Sequence, residues 1–158
     1  MPIAVGTRAP GFTLKDQNNQ DITLADFHGR KTVLLVFYPL AFSGTCQGEL
    51  AEIKTNLPAY ANEKVQVLTI SVDSVYSHKV WANREGYNFP LLADFWPHGE
   101  VARSYGVFNE DKGYANRGTF LIDEQGIIRY AQENQPGERR DQKDWQASLA
   151  EIAEASAR

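Results

Sequence analysis

The stretch Lys31-Thr32-Val33-Leu34-Leu35-Val36-Phe37-Tyr38-Pro39-Leu40-Ala41-Phe42-Ser43-Gly44-Thr45-Cys46 decides how the rest of the chain is read. Lys31 to Tyr38 reads as a central strand, because Val33-Leu34-Leu35-Val36-Phe37 is apolar on both faces and partly β-branched. Pro39 closes that strand, because it has no N–H to give to a sheet. Beyond it, Leu50, Ile53, Leu57 and Tyr60 recur at helical spacing with Glu49, Glu52 and Lys54 among them, so a helix follows until Pro58 kinks or ends it. Cys46, the only cysteine in the 158 residues, stands where strand gives way to helix.

Towards the N-terminus, Phe12-Thr13-Leu14 and Asp21-Ile22-Thr23-Leu24 flank the polar stretch Asp16 to Gln20, which predicts a hairpin. Asp26 to Arg30 reads as a connecting loop or short turn. Towards the C-terminus, Val65 to Val72 is a second strand, and Ser74 is an N-cap for a helix that carries Val80 and Trp81 and ends near Gly86. Phe89-Pro90-Leu91-Leu92-Ala93-Asp94 reads as a short strand, placed at a sheet edge by Pro90. Gly99 to Tyr105 is a short helix stopped by Gly106, and Gly113 to Gly118 reads as loop. Thr119 to Asp123 and Ile127 to Ala131 pair through the turn Glu124-Gln125-Gly126, Gln135-Pro136-Gly137 breaks the pattern, and Asp141 to Ala157 is an amphipathic helix with Trp145, Leu149 and Ile152 on one face. No repeat or linker interrupts the order, so one domain over 1–158 is expected. The order of elements argues for an α/β fold with a mixed sheet flanked by helices and an N-terminal β-hairpin, compatible with a thioredoxin-like core.

Bulk properties narrow the function. The composition is 42% hydrophobic and 23% charged with a net charge of -4, so there is no broad basic excess of the kind that marks nucleic-acid binding. One cysteine forms no intramolecular disulfide, which excludes a disulfide-stapled secreted scaffold. The residues Met1 to Arg8 lack the pattern of a secretory signal, and the longest apolar run, Val33 to Phe42, is too short to span a membrane. A soluble protein of a reducing, cytoplasmic compartment is the simplest class.

The lone thiol has two readings. Free cysteine is often an inert core residue. It is also a nucleophile where a helix N-terminus favours its thiolate. An unperturbed thiol has a pKa near ~8.5, and a helix terminus contributes only ~0.3–1 kcal/mol, so a nearby cation is needed as well. Among bases, His28, His78 and His98 have no hydrolase context; His78 is expected on the exposed side of its helix and His98 in a loop after Pro97. Arg117, at the entry to a strand, is the candidate cation, although an arginine there is ordinarily just solvated. Glu49 occupies the place of the second cysteine in a Cys-x-x-Cys pair, which excludes thioredoxin-type exchange by this chain alone; a carboxylate there also suits a first helical turn. No metal-ligand spacing and no glycine-rich phosphate loop are present. Spacing alone leaves packing and chemistry both open.

The motif Pro39-x-x-x-Ser43-x-x-Cys46, with Arg117 on a later strand, resembles the active-site pattern of the peroxiredoxins. The resemblance runs almost end to end, through Ala9 to Leu14, Phe89 to Asp94 and Asn116 to Asp123. Phe37 to Phe42, Asp94 to Gly99 and Gln135 to Glu138 are similar to the one-cysteine, alkyl hydroperoxide reductase E-type branch. It implies a thioredoxin-like fold, with Cys46 as the peroxidatic thiolate, Ser43 hydrogen-bonding sulfur and substrate oxygens, and Arg117 supplying positive charge. It also implies that Pro39 limits solvent access, the N–H groups of Gly44 and Cys46 bind peroxide oxygen, and Glu49 orients Arg117. The substrates would be hydrogen peroxide, alkyl hydroperoxides and peroxynitrite, with no flavin, haem or metal required. Ser43 stands where threonine is commoner in the family. With no second cysteine, the sulfenic acid must be resolved by an external thiol, such as mycothiol with a glutaredoxin-like redoxin, or a thioredoxin. Related proteins are often dimers packed edge to edge around the active-site loops, and Phe42, Trp81, Phe95 and Trp96 are the residues expected at such a surface. A redox sensor that passes oxidation to a partner is the alternative activity; a silent binding domain and a Cys-His hydrolase fit the motif less well.

Overall fold

The computed structural model describes residues 1–156. The chain opens with β1 (Thr13–Lys15) and β2 (Asp21–Thr23), the expected hairpin, followed by a single 3-10 turn at Leu24–Phe27. The Asp16 carboxylate accepts the N–H groups of Asn18 and Gln20 and so builds the hairpin turn from its own first residue. Next come β3 (Thr32–Phe37), α1 (Gly44–Thr55), α2 (Leu57–Tyr60), β4 (Val65–Ser71), α3 (Val75–Glu85), β5 (Leu91–Ala93) and α4 (Glu100–Ser104). The chain continues through β6 (Phe108–Asn109), β7 (Tyr114–Ala115), β8 (Arg117–Ile122), β9 (Ile128–Asn134) and α5 (Lys143–Ser156).

Seven strands form one sheet in the order β2-β1-β5-β4-β3-β8-β9. β3, β4 and β5 run parallel, and the outer strands are antiparallel, so the sheet is mixed as expected. All six residues of β3 are buried, and their alternation divides them between two layers. Val33, Leu35 and Phe37 join Val101 and Ala102 of α4 on one face. Leu34 and Val36 join Leu50 and Ile53 of α1, Trp81 of α3 and Trp145 of α5 on the other. A side chain of this kind stabilises the fold by roughly 1.5–3 kcal/mol when fully buried, and β3 supplies such side chains to both layers. That is why an unbroken apolar run, rather than an alternating one, marks the centre of this sheet.

Three expectations need correction. β5 is interior, between β1 and β4, not at an edge. Pro90 precedes the strand proper, where no ladder N–H is required, and its carbonyl accepts from Thr69. The Gly113–Gly118 stretch is not simply loop: Tyr114–Ala115 pairs with Phe108–Asn109 as a small separate hairpin, and β8 starts at Arg117. The C-terminal helix begins at Lys143, with Trp145 fully buried; Ala157, where it was expected to end, lies outside the described residues. No helix among the described residues is long and apolar enough to cross a membrane.

Pro58 behaves as its chemistry dictates. α1 ends at Thr55, Asn56 leaves helical geometry, and Pro58 sits in the first turn of α2, where a missing N–H costs nothing. Ser74 caps α3 by accepting the N–H of Ser77, and Gly86 ends that helix in the left-handed conformation that a residue without Cβ adopts freely.

Candidate active site

The loop between β3 and α1 is held rather than free. Tyr38 continues the strand by donating its N–H to Ile70, and Pro39 is buried behind it. Phe42 adopts φ +68, a left-handed conformation rare for a bulky residue, and its ring packs on Trp81. Asp73 fastens the same loop from β4's side: its Oδ2 accepts the N–H of Ala41 at 2.7 Å and the hydroxyl of Ser71 at 2.6 Å. Behind it, His78 Nε2 lies 2.7 Å from Ser71 Oγ and 3.2 Å from Tyr38 Oη. His78 is therefore not on the exposed side of α3, as the sequence suggested, but fully buried; burial takes its imidazole down to about 4, against the pull of Asp73. Trp81, three residues on and on the same face, is fully buried too.

Ser43 is the N-cap of α1, and Gly44, Thr45 and Cys46 form its first turn. The N–H groups of a first turn have no partner within the helix and point out of its positive end. Cys46 Sγ lies in this field and is 0% exposed. Glu49, one turn further, stands on the same face of α1 and is also fully buried. Ser43 Oγ donates to the carbonyl of Leu40 at 3.1 Å, so the hydroxyl faces the loop rather than the sulfur. Gly44 is exposed at the helix start.

Arg117 reaches this point from the start of β8 and is buried, not solvated. Its Nη1 donates to Cys46 Sγ at 3.2 Å and to Glu49 Oε1 at 2.7 Å, while its Nε donates to the Pro136 carbonyl at 2.8 Å. The fold thus joins Cys46, Glu49 and Arg117 by direct contact, while Ser43 and Gly44 begin the helix that carries Cys46 and Pro39 is buried just after β3.

Arg140 is the residue the sequence did not single out. Its N–H and Nε donate to Glu49 Oε2 at 2.8 and 3.0 Å, and its Nη2 to Glu49 Oε1 at 2.7 Å. Its Nη1 is held by the Gly118 carbonyl and Thr119 Oγ1. Burial by itself would raise the Glu49 carboxyl, but the hydrogen bonds and charge of Arg140, and then the charge of Arg117, hold it below the usual carboxylate range. Arg139 and Arg140 are adjacent, and only the second is buried, at 5% exposure. Nothing in the local sequence separates them; the Gln135-Pro136-Gly137 break before them was the one visible signal. The other titratable groups near the sulfur are Tyr38 and Tyr87, which burial keeps neutral: Tyr38 is pushed well above its ordinary value and Tyr87 up to about 12.

Chemically, the arrangement offers a thiol at a helix N-terminus, a buried guanidinium against it and unpaired amide donors beside it. Such a site stabilises negative charge first on sulfur and then on an oxygen receiving charge from it.

Comparison with known proteins agrees with that chemistry. The model of the AhpC/TSA family matches residues 5–131. The alkyl hydroperoxide reductase E proteins of Mycobacterium bovis and Mycobacterium tuberculosis are each 55% identical over 148 residues, covering 94% of this chain and 97% of the relative. Among solved structures, the mitochondrial 2-Cys peroxiredoxin of Plasmodium falciparum superposes with a TM-score of 0.85 at 30% identity, covering 98% of this chain and 96% of the other. Peroxidoxin BcpB of Mycobacterium tuberculosis superposes at 0.84 with 25% identity, covering 95% and 98%.

Proposed function

The chain belongs to the AhpC/TSA family and is a thiol peroxidase of the peroxiredoxin type, and on that premise we propose that Cys46 carries the peroxidatic step. The observation that carries this reading is the 3.2 Å contact between Arg117 Nη1 and Cys46 Sγ. The Cys46 thiolate attacks the terminal oxygen of a hydroperoxide. An S–O bond forms, the O–O bond breaks, and the alkoxide or hydroxide leaves with a proton taken up from the medium. Arg117 and the first-turn N–H groups of Gly44 and Cys46 receive the charge that moves from sulfur to oxygen. Pro39, buried at the end of β3, keeps water from the sulfur. Ser43 turns its hydroxyl from the Leu40 carbonyl to a substrate oxygen when a hydroperoxide enters. Glu49 fixes Arg117 in the plane that faces the sulfur.

The product is a Cys46 sulfenic acid, and with one cysteine in the chain an external thiol must reduce it: two thiols give a disulfide, water and the Cys46 thiol. A small thiol such as mycothiol, working with a glutaredoxin-like redoxin, suits a sulfur that is fully buried better than direct docking by a thioredoxin does. The substrates are hydrogen peroxide and alkyl hydroperoxides, with peroxynitrite as a further oxidant of the same thiolate. The chain acts as one domain over 1–158 in the cytoplasm, and as a homodimer that covers an aromatic surface. Phe42, Phe95 and Trp96 are exposed and fit such a surface; Trp81, expected there from the sequence, is buried and does not.

Intact mass spectrometry with dimedone after one equivalent of peroxide tests the central step. A single adduct on Cys46 within seconds, absent from Cys46→Ser, is expected. Reaction no faster than that of free cysteine would overturn the reading.

A further inference from the structure

Arg117 does not meet Cys46 as a free cation. The same Nη1 that touches Sγ also donates to Glu49 Oε1 at 2.7 Å. An arginine paired with a buried glutamate is, as a unit, close to neutral, and a neutral unit does little to favour an anionic sulfur. Arg140 changes that. It clasps both oxygens of Glu49 through three of its donors and makes no hydrogen bond to the sulfur. Its remaining Nη1 is tied to the backbone of Gly118 and the hydroxyl of Thr119, so it cannot swing to the thiol itself.

The buried cluster therefore holds two guanidinium groups against one carboxylate. Arg117, Glu49 and Arg140 are each nearly or wholly removed from solvent. Uncompensated charge is costly in such a place, and the cluster closes its balance only when the sulfur beside it is anionic. We propose that Arg140 is a positioning residue that neutralises Glu49, leaving the charge of Arg117 available to the Cys46 thiolate. This rests on the reading of Cys46 as the peroxidatic sulfur. Glu49 then has a double effect: it fixes Arg117 in place, and it would cancel Arg117 were Arg140 absent. The groups facing the sulfur are Arg117 from β8, Glu49 from α1 behind it, Tyr38 from the end of β3 and Tyr87; the two tyrosines stay neutral, so the balance lies with the charged three.

The test is a charge-rescue cycle on the full chain. The second-order rate of Cys46 oxidation by hydrogen peroxide is measured by stopped flow at pH 6 and pH 8.5, for wild type, Arg140→Met, Glu49→Gln and the double variant, each checked for folding by circular dichroism. Arg140→Met is expected to slow the reaction by about tenfold or more at pH 6 and by less at pH 8.5, because removing the compensating charge raises the cost of the anion. Adding Glu49→Gln to Arg140→Met is expected to restore most of that loss, since the charge it removes is the one Arg140 was cancelling. A residue that merely packs would show no such rescue. Arg140→Met reacting as fast as wild type, or a folded double variant no faster than the single one, overturns the assignment. Should Arg140→Met not fold, Arg140→Gln carries the test: it keeps a donor to Glu49 without the charge and is expected to react about tenfold more slowly at pH 6, and a folded Arg140→Gln as fast as wild type overturns the proposal. Wild type reacting no faster than free cysteine would instead bring down the reading of Cys46 itself.

Discussion

Arg117 Nη1 lies 3.2 Å from Cys46 Sγ, a contact made across 71 residues of sequence. Three features hold the guanidinium there: β8 begins at Arg117, Glu49 accepts from its Nη1, and the Pro136 carbonyl accepts from its Nε. Each is satisfied by the fork geometry of arginine. Arg117→Ala is expected to slow peroxide reduction by ~10²–10³, the usual cost of removing one preorganised donor from a developing oxyanion. Arg117→Lys keeps a charge but cannot bridge sulfur, carboxylate and carbonyl at once, so it is expected to fall between Ala and wild type. Stopped-flow measurement of the peroxide reaction decides; a lysine variant equal to wild type would show that charge alone is enough.

The serine hydroxyl raises a different question, because it points at Leu40 rather than at sulfur. If it acts by turning to bind a substrate oxygen, Ser43→Ala should slow the reaction with hydroperoxides while leaving alkylation of Cys46 by iodoacetamide unchanged, since an alkylating agent brings no peroxide oxygens. A loss of both rates to the same degree would mean that Ser43 only shapes the loop. The stability cost should stay small, because Ser43 makes no side-chain cap bond to α1 that alanine would remove.

The unbroken apolar run from Thr32 to Phe37, the cap at Ser74 and the stop at Gly86 were each legible in the sequence, because each depends on local chemistry: burial on both faces, a side-chain acceptor, a left-handed backbone. The motif residues were legible as spacing. What could not be read was which buried polar groups the fold would join. Arg139 and Arg140 are neighbours of the same type, and only tertiary packing sends one to Glu49 and leaves the other 54% exposed. His78 misled for the same reason. A helix that lacks a strong apolar stripe does not announce its inner face, and the inward turn of His78 depends on Ser71 and Tyr38 from two other strands. Pro90 misled through a general rule, applied to a residue that sits just outside its strand.

The exposed aromatics that follow β5 bear on association. Trp96 is 80% exposed, and Phe95 stands next to it beside a cavity of about 360 Å³ whose lining includes Tyr76 and Val75. Uncovered apolar surface of this kind is what a second copy would bury. Trp96→Glu is expected to shift the protein to a monomer in size-exclusion chromatography with light scattering, without loss of helix by circular dichroism. A wild-type protein that is monomeric at micromolar concentration removes the dimer proposal.

His78 makes stability depend on pH in a way whose sign follows from its burial. Folded, its imidazole titrates at about 4; unfolded, near the ordinary ~6.5. Between these values the unfolded chain binds a proton that the folded chain refuses, so this contribution is full above ~6.5 and is lost as pH falls towards 4. Asp94 works in the opposite direction. Burial pushes its carboxyl up to about 6, so the folded chain takes up a proton there first, and its contribution favours the fold as pH falls from about 6 towards the ordinary carboxylate range. The wild-type pH profile mixes the two, and the informative quantity is a difference. His78→Gln keeps a polar side chain facing Ser71 and Tyr38 but cannot titrate. Its urea midpoint is expected below that of wild type at pH 7, where the neutral imidazole fits its pocket, and to approach or pass it by pH 4.5, where wild type bears the cost of keeping His78 uncharged. Parallel profiles for the two proteins across that window would mean that His78 is not the group whose protonation weakens the fold.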